Sequence, residues 1–270
     1  MQILSDLHIH TTLSSCCADP AQTPENILSL LSGRGFRKIA FTDHLWENPS
    51  VPPSPWYATQ GSARILRMAD SARKAAKEHS MTLLIACETD MCAPGKFGIT
   101  PQIREKFDFV QMASDHFHMR EFVEQPEEAT PEKLAKHMMK FFRSAVLSGL
   151  ADVLVHPMMP LGYEGIYDRT AELISDQEFL DAFALAAERG IGIEINAAIL
   201  CANRMRKLYD PDSYLRVLSL ARDAGCRFTF GSDSHSRLAF EQYALIGETA
   251  DALSLTEEQI HPLARLPVLS

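Results

Sequence analysis

The sequence lacks the features that would assign it to several large classes. No apolar run approaches the roughly 20 residues needed to cross a bilayer, and Asp6 and His8 arrive before a signal-like stretch could develop. A soluble, cytoplasmic protein with no membrane partner is the expectation. Positive charge is in deficit, with 26 Lys and Arg against 35 Asp and Glu for a formal net charge of -9. That balance disfavours a surface that tracks a nucleic-acid backbone, while leaving room for a local cationic pocket. The six cysteines form no CxxC pair, and the neighbours Cys16 and Cys17 are poorly placed to bridge each other, so reduced thiols are expected. There is no Walker-type glycine loop, dinucleotide fingerprint, internal repeat, low-complexity tract or compositional break that marks a linker.

What is present is an ordinary globular composition, 46% hydrophobic and 23% charged, which excludes disordered, collagenous and disulfide-framework proteins. A chain of 270 residues buries roughly three quarters of its extended-chain surface, so it needs no structural metal merely to hold together. Any metal present would serve chemistry. Residues 1–270 read as one domain.

Short runs rich in Ile, Val and Phe alternate with longer helical patterns, which favours a parallel sheet with crossover helices. Seven strand cores are expected, at 3–10, 38–42, 82–87, 109–113, 153–155, 192–195 and 227–230. Each is short and nearly continuously apolar, as strands covered on both faces should be. Thr23-Pro24-Glu25 and Thr130-Pro131-Glu132 each supply a cap, a first-turn proline and an early acid, and Ser175 with Glu178 forms a capping-box pattern. Between Leu45 and Gly61, Asn48-Pro49, Val51-Pro52-Pro53 and Pro55-Trp56-Tyr57 cannot sit inside a helix or strand. Such a stiffened loop fits either surface packing by Trp46 and Trp56 or a wall over a site.

Six of the ten histidines (8, 10, 44, 116, 156 and 235) fall at or just beyond the C-terminal end of an expected strand, joined there by Glu88 and Asp233. In a parallel barrel those ends share one rim. A single histidine after a strand is ordinarily a polar loop residue. Six imidazoles and two carboxylates on one rim are a different matter, because buried polar groups need partners and buried carboxylates need opposite charge. Divalent cations supply both. His8-Ile9-His10 puts two imidazoles on one strand face, and Thr42-Asp43-His44 and Ser232-Asp233-Ser234-His235 pair an acid with an imidazole at strand exits. This donor set suits zinc, manganese or iron better than calcium. Arg204, Arg206 and Lys207 follow the sixth strand and Arg237 the seventh; residues of this kind usually solvate helices, but at this rim they are candidate phosphate clamps. His118 reads as a solvent-facing loop residue, and His79, His137 and His261 as surface residues.

These residues carry a resemblance. Asp6-Leu7-His8-Ile9-His10-Thr11, Thr42-Asp43-His44, Glu88, His116, Val155-His156-Pro157 and Gly231-Ser232-Asp233-Ser234-His235-Ser236 resemble, in order and over essentially the whole chain, the motif series of the polymerase and histidinol phosphatase (PHP) family. Glu194-Ile195-Asn196 and the Tyr209-Asp210-Pro211 helix start are closer to its stand-alone, histidinol-phosphatase-like members. The resemblance implies an α/β fold, a distorted seven-stranded (βα)7 TIM-like barrel with two or three divalent metals at the C-terminal rim of its strands. It further implies that His8, His10, Glu88 and Asp233 hold one metal, that Glu88 bridges to a second held by His116 and His156, and that His44 and His235 hold a third. The third site often has another histidine where this chain has Cys16, which could ligate as a thiolate or stand beside an empty position. The implied activity is a metal-dependent phosphatase of a small phosphomonoester, histidinol phosphate-like, acting through a metal-bound hydroxide, with Asp43, Asp233 or His235 as proton-transfer candidates. A phosphodiesterase or exonuclease on nucleotides or short nucleic acid, and a noncatalytic metal-binding accessory module, are the two alternative readings.

Overall fold

The computed structural model describes residues 1–266, so the last four residues of the expected 1–270 unit lie outside the described residues. Ten strands form: each of the seven expected apolar runs gives a strand, and the rest are additional. They are β1 (Ser5–Ile9), β2 (Lys38–Phe41), β3 (His44–Leu45), β4 (Thr82–Ile85), β5 (Cys87–Ala93), β6 (Lys96–Phe97), β7 (Val110–Ala113), β8 (Val153–Leu154), β9 (Gly192–Asn196) and β10 (Arg227–Gly231). The helices between them are α1 (Pro24–Gly33), α2 (Ser62–Glu78), α3 (Pro101–Arg104), α4 (Pro131–Leu147), α5 (Tyr167–Glu172), α6 (Asp176–Glu188), α7 (Ala197–Arg206), α8 (Pro211–Asp223) and α9 (Tyr243–Ala252). Their starts follow the capping chemistry of the sequence. The Thr23 and Thr130 side chains accept from Asn26 and Lys133 backbone N–H groups, and Ser175 with Glu178 completes a reciprocal box.

The strands pair in two ladders, β1-β2-β4 and a seven-stranded sheet ordered β10-β9-β8-β7-β5-β3 with β6 hydrogen-bonded to β5. Every pairing except the β5–β6 hairpin is parallel. The ladders meet at Ala86, across which the segments 38–45 and 82–93 keep one register: Ile85 lies opposite Phe41 of β2 and Glu88 opposite His44 of β3, and beyond the break Glu88 also lies opposite Gln111 of β7. At the other seam, β10 approaches β1 through the single bridge Ile9–Ser234, with Asp233 N donating to His8 O at 2.8 Å and His10 N to Ser234 O at 3.1 Å. The fold is thus α/β with the strand order and parallel sense of the expected barrel, but among the described residues no continuous ladder closes it. The third expected strand does not end at Cys87; it breaks at Ala86 and runs on to Ala93.

Helices bury their apolar faces against the sheets. On α4 these are Leu134, Met138, Phe141, Phe142 and Ala145, and truncating a buried Phe such as Phe141 to Ala costs about 3–5 kcal/mol. The interior is not wholly apolar. Gln111 Nε2 donates to Leu7 O at 2.8 Å, and Asp6 Oδ1 accepts from the N–H groups of His8 and Ser232, both at 3.0 Å, tying β1 to the end of β10. Two residues expected at the surface are buried instead: His137 and His261 place Nε2 2.7 Å from Glu124 O and 3.0 Å from Gly190 O. A neutral imidazole that donates to a carbonyl meets its hydrogen-bonding need without water. No helix among the described residues is long and apolar enough to cross a membrane.

Candidate metal centre

Strand ends deliver the site. His8 lies within β1 and His10 just beyond it, His44 opens β3, Glu88 is the second residue of β5, and His116, His156, Asp233 and His235 follow β7, β8 and β10. The structure gathers them into three groups: His8, His10 and Asp233; Glu88, His116 and His156; and His10, Cys16, His44 and His235. Within each group the ligand-type atoms lie within 4.8 Å of one another. Glu88 stands between the groups. Its Oε2 is 3.3 Å from His8 Nε2, 3.2 Å from His10 Nε2 and 3.2 Å from His44 Nδ1, while Oε1 is 3.5 Å from His156 Nε2 and 3.8 Å from His116 Nε2.

Four of these histidines are held from behind. His8 Nδ1 is 2.7 Å from Glu194 Oε1, His116 Nδ1 is 2.7 Å from Asp90 Oδ1, and His156 Nδ1 is 2.9 Å from Asp115 Oδ1. His10 Nδ1 is 3.0 Å from Ser14 Oγ, which donates to Asp43 Oδ1 at 2.7 Å. An acceptor behind the ring keeps the proton on Nδ1 and turns the Nε2 lone pair toward the shared centre, the arrangement that prepares an imidazole to bind a cation.

The charges show the same demand. Burial opposes protonation of His8 and His10, yet the surrounding carboxylates overcome it. Glu194, Asp233 and Glu88 raise His8 well above the usual imidazole value, and Asp233 and Glu88 raise His10 to about 9. Burial likewise opposes ionisation of Glu88 and Asp233, but the neighbouring histidines hold both carboxyls below their ordinary range. His44 differs, with burial pushing its pKa down to about 3. Two buried atoms in the centre, Glu88 Oε1 and His44 Nδ1, find no hydrogen-bond partner among the described residues. Leaving such an atom unsatisfied costs about 1–3 kcal/mol, more for a charged group, and a cation coordinated there removes the deficit. The residues therefore fit divalent ions.

Two of the six non-glycine residues with positive φ among the described residues belong to the site. His156 and Asp233 have φ of +33° and +53°, a region rare for residues other than glycine. Glu194 Oε2 accepts from His156 N at 2.8 Å, and Asp233 N donates to His8 O at 2.8 Å, which pins both. Gly231 serves a different need: a Cβ there would lie 1.9 Å from Glu194 Oε1 and 2.5 Å from His8 Cβ.

A cavity of about 820 Å³ opens over the centre, with Cys16, His44, Glu88, His116, His156, Asp233 and His235 at its base. Ser54, Pro55, Trp56 and Tyr57 form one side, so the proline-rich loop lines the site, and Trp56 meets the His44 ring edge-on at 5.0 Å. The segment from His118 to Phe122, with Leu161, forms the other. His118 is an exposed loop residue, as expected, and it also lines this wall, 5.1 Å from the His116 ring.

Several sequence candidates lie elsewhere. Asp43 does not line the cavity; Thr11 N, Thr11 Oγ1 and Ser14 Oγ occupy its carboxylate. Arg204 and Arg206 are exposed on the last turn of α7, where Arg204 Nη1 is 3.6 Å from Glu248 Oε2, and Arg237 Nε is 3.8 Å from Asp19 Oδ2. None of these arginines, nor Lys207, borders the cavity, because the helix and turn that follow β9 and β10 carry them outward. Sequence reading missed Asp90, Asp115 and Ser14 as orienting groups and Arg120 as a wall residue. The alternation Glu88-Thr89-Asp90 was a usable signal, since it puts two acids on one strand face; the others carry no local signature.

A family model of the PHP domain matches residues 6–198, well over half of the chain. The chain belongs to the PHP family. Asp233 and His235 lie beyond the matched stretch and join the PHP site through the fold. Two solved structures are similar to this PHP chain. One, a HisK protein from Listeria monocytogenes assigned as a histidinol phosphatase, has a TM-score of 0.64 at 13% identity and covers 87% of this chain and 96% of its own. The other, the histidinol phosphate phosphatase HISK of Lactococcus lactis subsp. lactis Il1403 in complex with zinc, L-histidinol and phosphate, has a TM-score of 0.55 at 16% identity and covers 91% of this chain and 93% of its own. At these identities the likeness shows a shared fold. A search of curated proteins found no match.

Proposed function

We propose that this PHP chain is a metal-dependent phosphatase of a small phosphomonoester, working as one unit over 1–270. The observation that carries the reading is the set of four buried histidines, each held from behind by an acid or hydroxyl and each turned toward Glu88. Zinc and phosphate in the similar Lactococcus structure lend support. His8, His10 and Asp233 would hold one ion with Glu88, and Glu88, His116 and His156 a second. His44, His235 and Cys16 would hold a third, where a thiolate ligand favours zinc.

When bound, such ions lower the pKa of an attacking water and offset charge on the phosphoryl oxygens. The chain does the rest. Asp90, Asp115, Glu194 and Ser14 would fix the histidine orientations, and Trp56, Tyr57 and Phe122 line the cavity above them. Asp233 and His235 line the cavity and would be the remaining candidates to carry the leaving-group proton, whereas Asp43 is bound up with Thr11 and Ser14. A bounded cavity of about 820 Å³ suits a small ligand, and together with the net negative charge it disfavours a polymer.

The test is hydrolysis by protein reconstituted with zinc, manganese or iron, presented with p-nitrophenyl phosphate, histidinol phosphate, mononucleotides, a phosphodiester and single-stranded DNA. Monoester turnover that disappears on verified metal removal is the expected result. Diester cleavage without monoester turnover would replace phosphatase by phosphodiesterase, and no turnover with any metal would leave a binding module.

A further inference from the structure

Among the described residues the cavity has a single Lys or Arg in its walls, Arg120. We infer that Arg120 is the side chain that clamps the phosphoryl group of the substrate, an inference that rests on the phosphatase reading and names a binding residue for it.

Three observations carry this. Arg120 stands on a tight turn beginning at His116, with Met119 N donating to His116 O at 3.1 Å and Val123 N to Met119 O at 2.9 Å, so it shares a rigid segment with a residue that faces Glu88. Its guanidinium is also preorganised, lying 4.8 Å above the Tyr163 ring, with Nη1 3.1 Å from Tyr163 Oη and Nη2 donating to Gly162 O at 3.2 Å. Gly162 makes that possible by approaching closely: at φ +92°, a Cβ there would meet His118 Cα at 2.9 Å. Finally, both hydrogen-bond partners are neutral, and among the described residues no carboxylate lies within ion-pair distance of Arg120. Five donors with two committed leave an exposed, held guanidinium with free donors on a cavity wall it shares with Glu121, and a planar fork of this kind matches phosphate oxygens bidentately.

A carboxylate on the leaving group would suit the same guanidinium, so the probes are inorganic phosphate and p-nitrophenyl phosphate, neither of which carries one. Phosphate binding to the zinc-loaded protein is measured by calorimetry for the wild type, Arg120→Lys and Arg120→Met, with zinc content and thermal melting as controls. Loss of a charge-assisted contact predicts a phosphate Kd about tenfold or more weaker in Arg120→Met, a smaller loss in Arg120→Lys, and a parallel rise in KM for p-nitrophenyl phosphate that exceeds the fall in kcat. Phosphate Kd and KM within twofold of wild type in Arg120→Met, at unchanged zinc content, would overturn the assignment, as would a zinc-loaded wild type that binds no phosphate at millimolar concentration. Binding and turnover separate the two readings: phosphate bound through Arg120 without ester hydrolysis sinks the phosphatase and keeps the clamp, while hydrolysis indifferent to Arg120 sinks the clamp alone.

Discussion

Replacing Glu194 with Gln tests the centre without touching a proposed ligand. Glu194 Oε2 accepts two hydrogen bonds, from His156 N at 2.8 Å and from Asn196 Nδ2 at 2.9 Å, while Oε1 sits 2.7 Å from His8 Nδ1. A glutamine of the same shape must keep its carbonyl oxygen toward those two donors, because an amide NH2 there would face N–H groups. Its NH2 is then forced onto His8 Nδ1, which has to accept, and the ring proton moves to Nε2, the nitrogen that faces His10, Glu88 and Asp233. The substitution therefore removes a charge-assisted contact of about 1.5–3 kcal/mol and also presents a proton where a lone pair is needed. Loss of an orienting partner typically costs about 10–100-fold in metal affinity, and the tautomer inversion places Glu194→Gln at the upper end. Competition against a chromophoric chelator measures zinc affinity, and a thermal melt of the metal-free protein checks folding. Zinc affinity within threefold of wild type, with native-like melting, would refute the orientation model.

The remaining expectations follow the same geometry. Gly231→Ala drives a methyl to 1.9 Å from Glu194 Oε1, whose carboxylate is tethered at both oxygens; overpacking of about 1–3 kcal/mol should lower the melting temperature by roughly 2–12 °C and weaken zinc binding as well. Glu88→Ala removes the one carboxylate shared by two groups, so elemental analysis should show more than one metal equivalent lost and monoester turnover abolished. For pH, burial lowers the pKa of both His137 and His261. The unfolded chain therefore binds more protons than the folded one as pH falls below about 6.5, and stability present above that pH is lost on acidification. Urea midpoints for His137→Asn should fall less between pH 7.5 and 5.5 than those of the wild type.

Strand identity and the composition of the site were legible because both depend on local patterns. Short apolar runs between proline-capped helices mark the staves, and histidines just past those runs mark the rim. Closure of the barrel was not legible, since it depends on whether β10 and β1 align along a full ladder or are joined by the one β-bridge Ile9–Ser234 and a few further hydrogen bonds. The arginines misled for a similar reason. Chain position after a strand says that Arg204 and Arg237 start near the rim, but helix direction decides where they point, and α7 turns its last residues toward Glu248 and solvent. Arg120 was overlooked because its relevance comes from Gly162 and Tyr163, about 40 residues away in sequence and supplied by another loop.

Glu88 stands where the ladder breaks. Its N donates to both Thr42 O and Asp43 O, each at 3.2 Å, at the level where β2 ends and β3 begins. Two neighbouring staves are interrupted together, and the register is kept across the break, with Phe41 opposite Ile85 before it and His44 opposite Glu88 after it. That kept register places the two side chains side by side, with His44 Nδ1 3.2 Å from Glu88 Oε2. The backbone hydrogen bonds lost at the break are partly recovered by Thr42 Oγ1, which accepts from Ile9 N at 3.0 Å, and by Asp43, which accepts from Thr11 N at 2.8 Å. In this account Asp43 acts on the backbone of its own rim, holding β1 to the break, and its proximity to the centre is a consequence of that role.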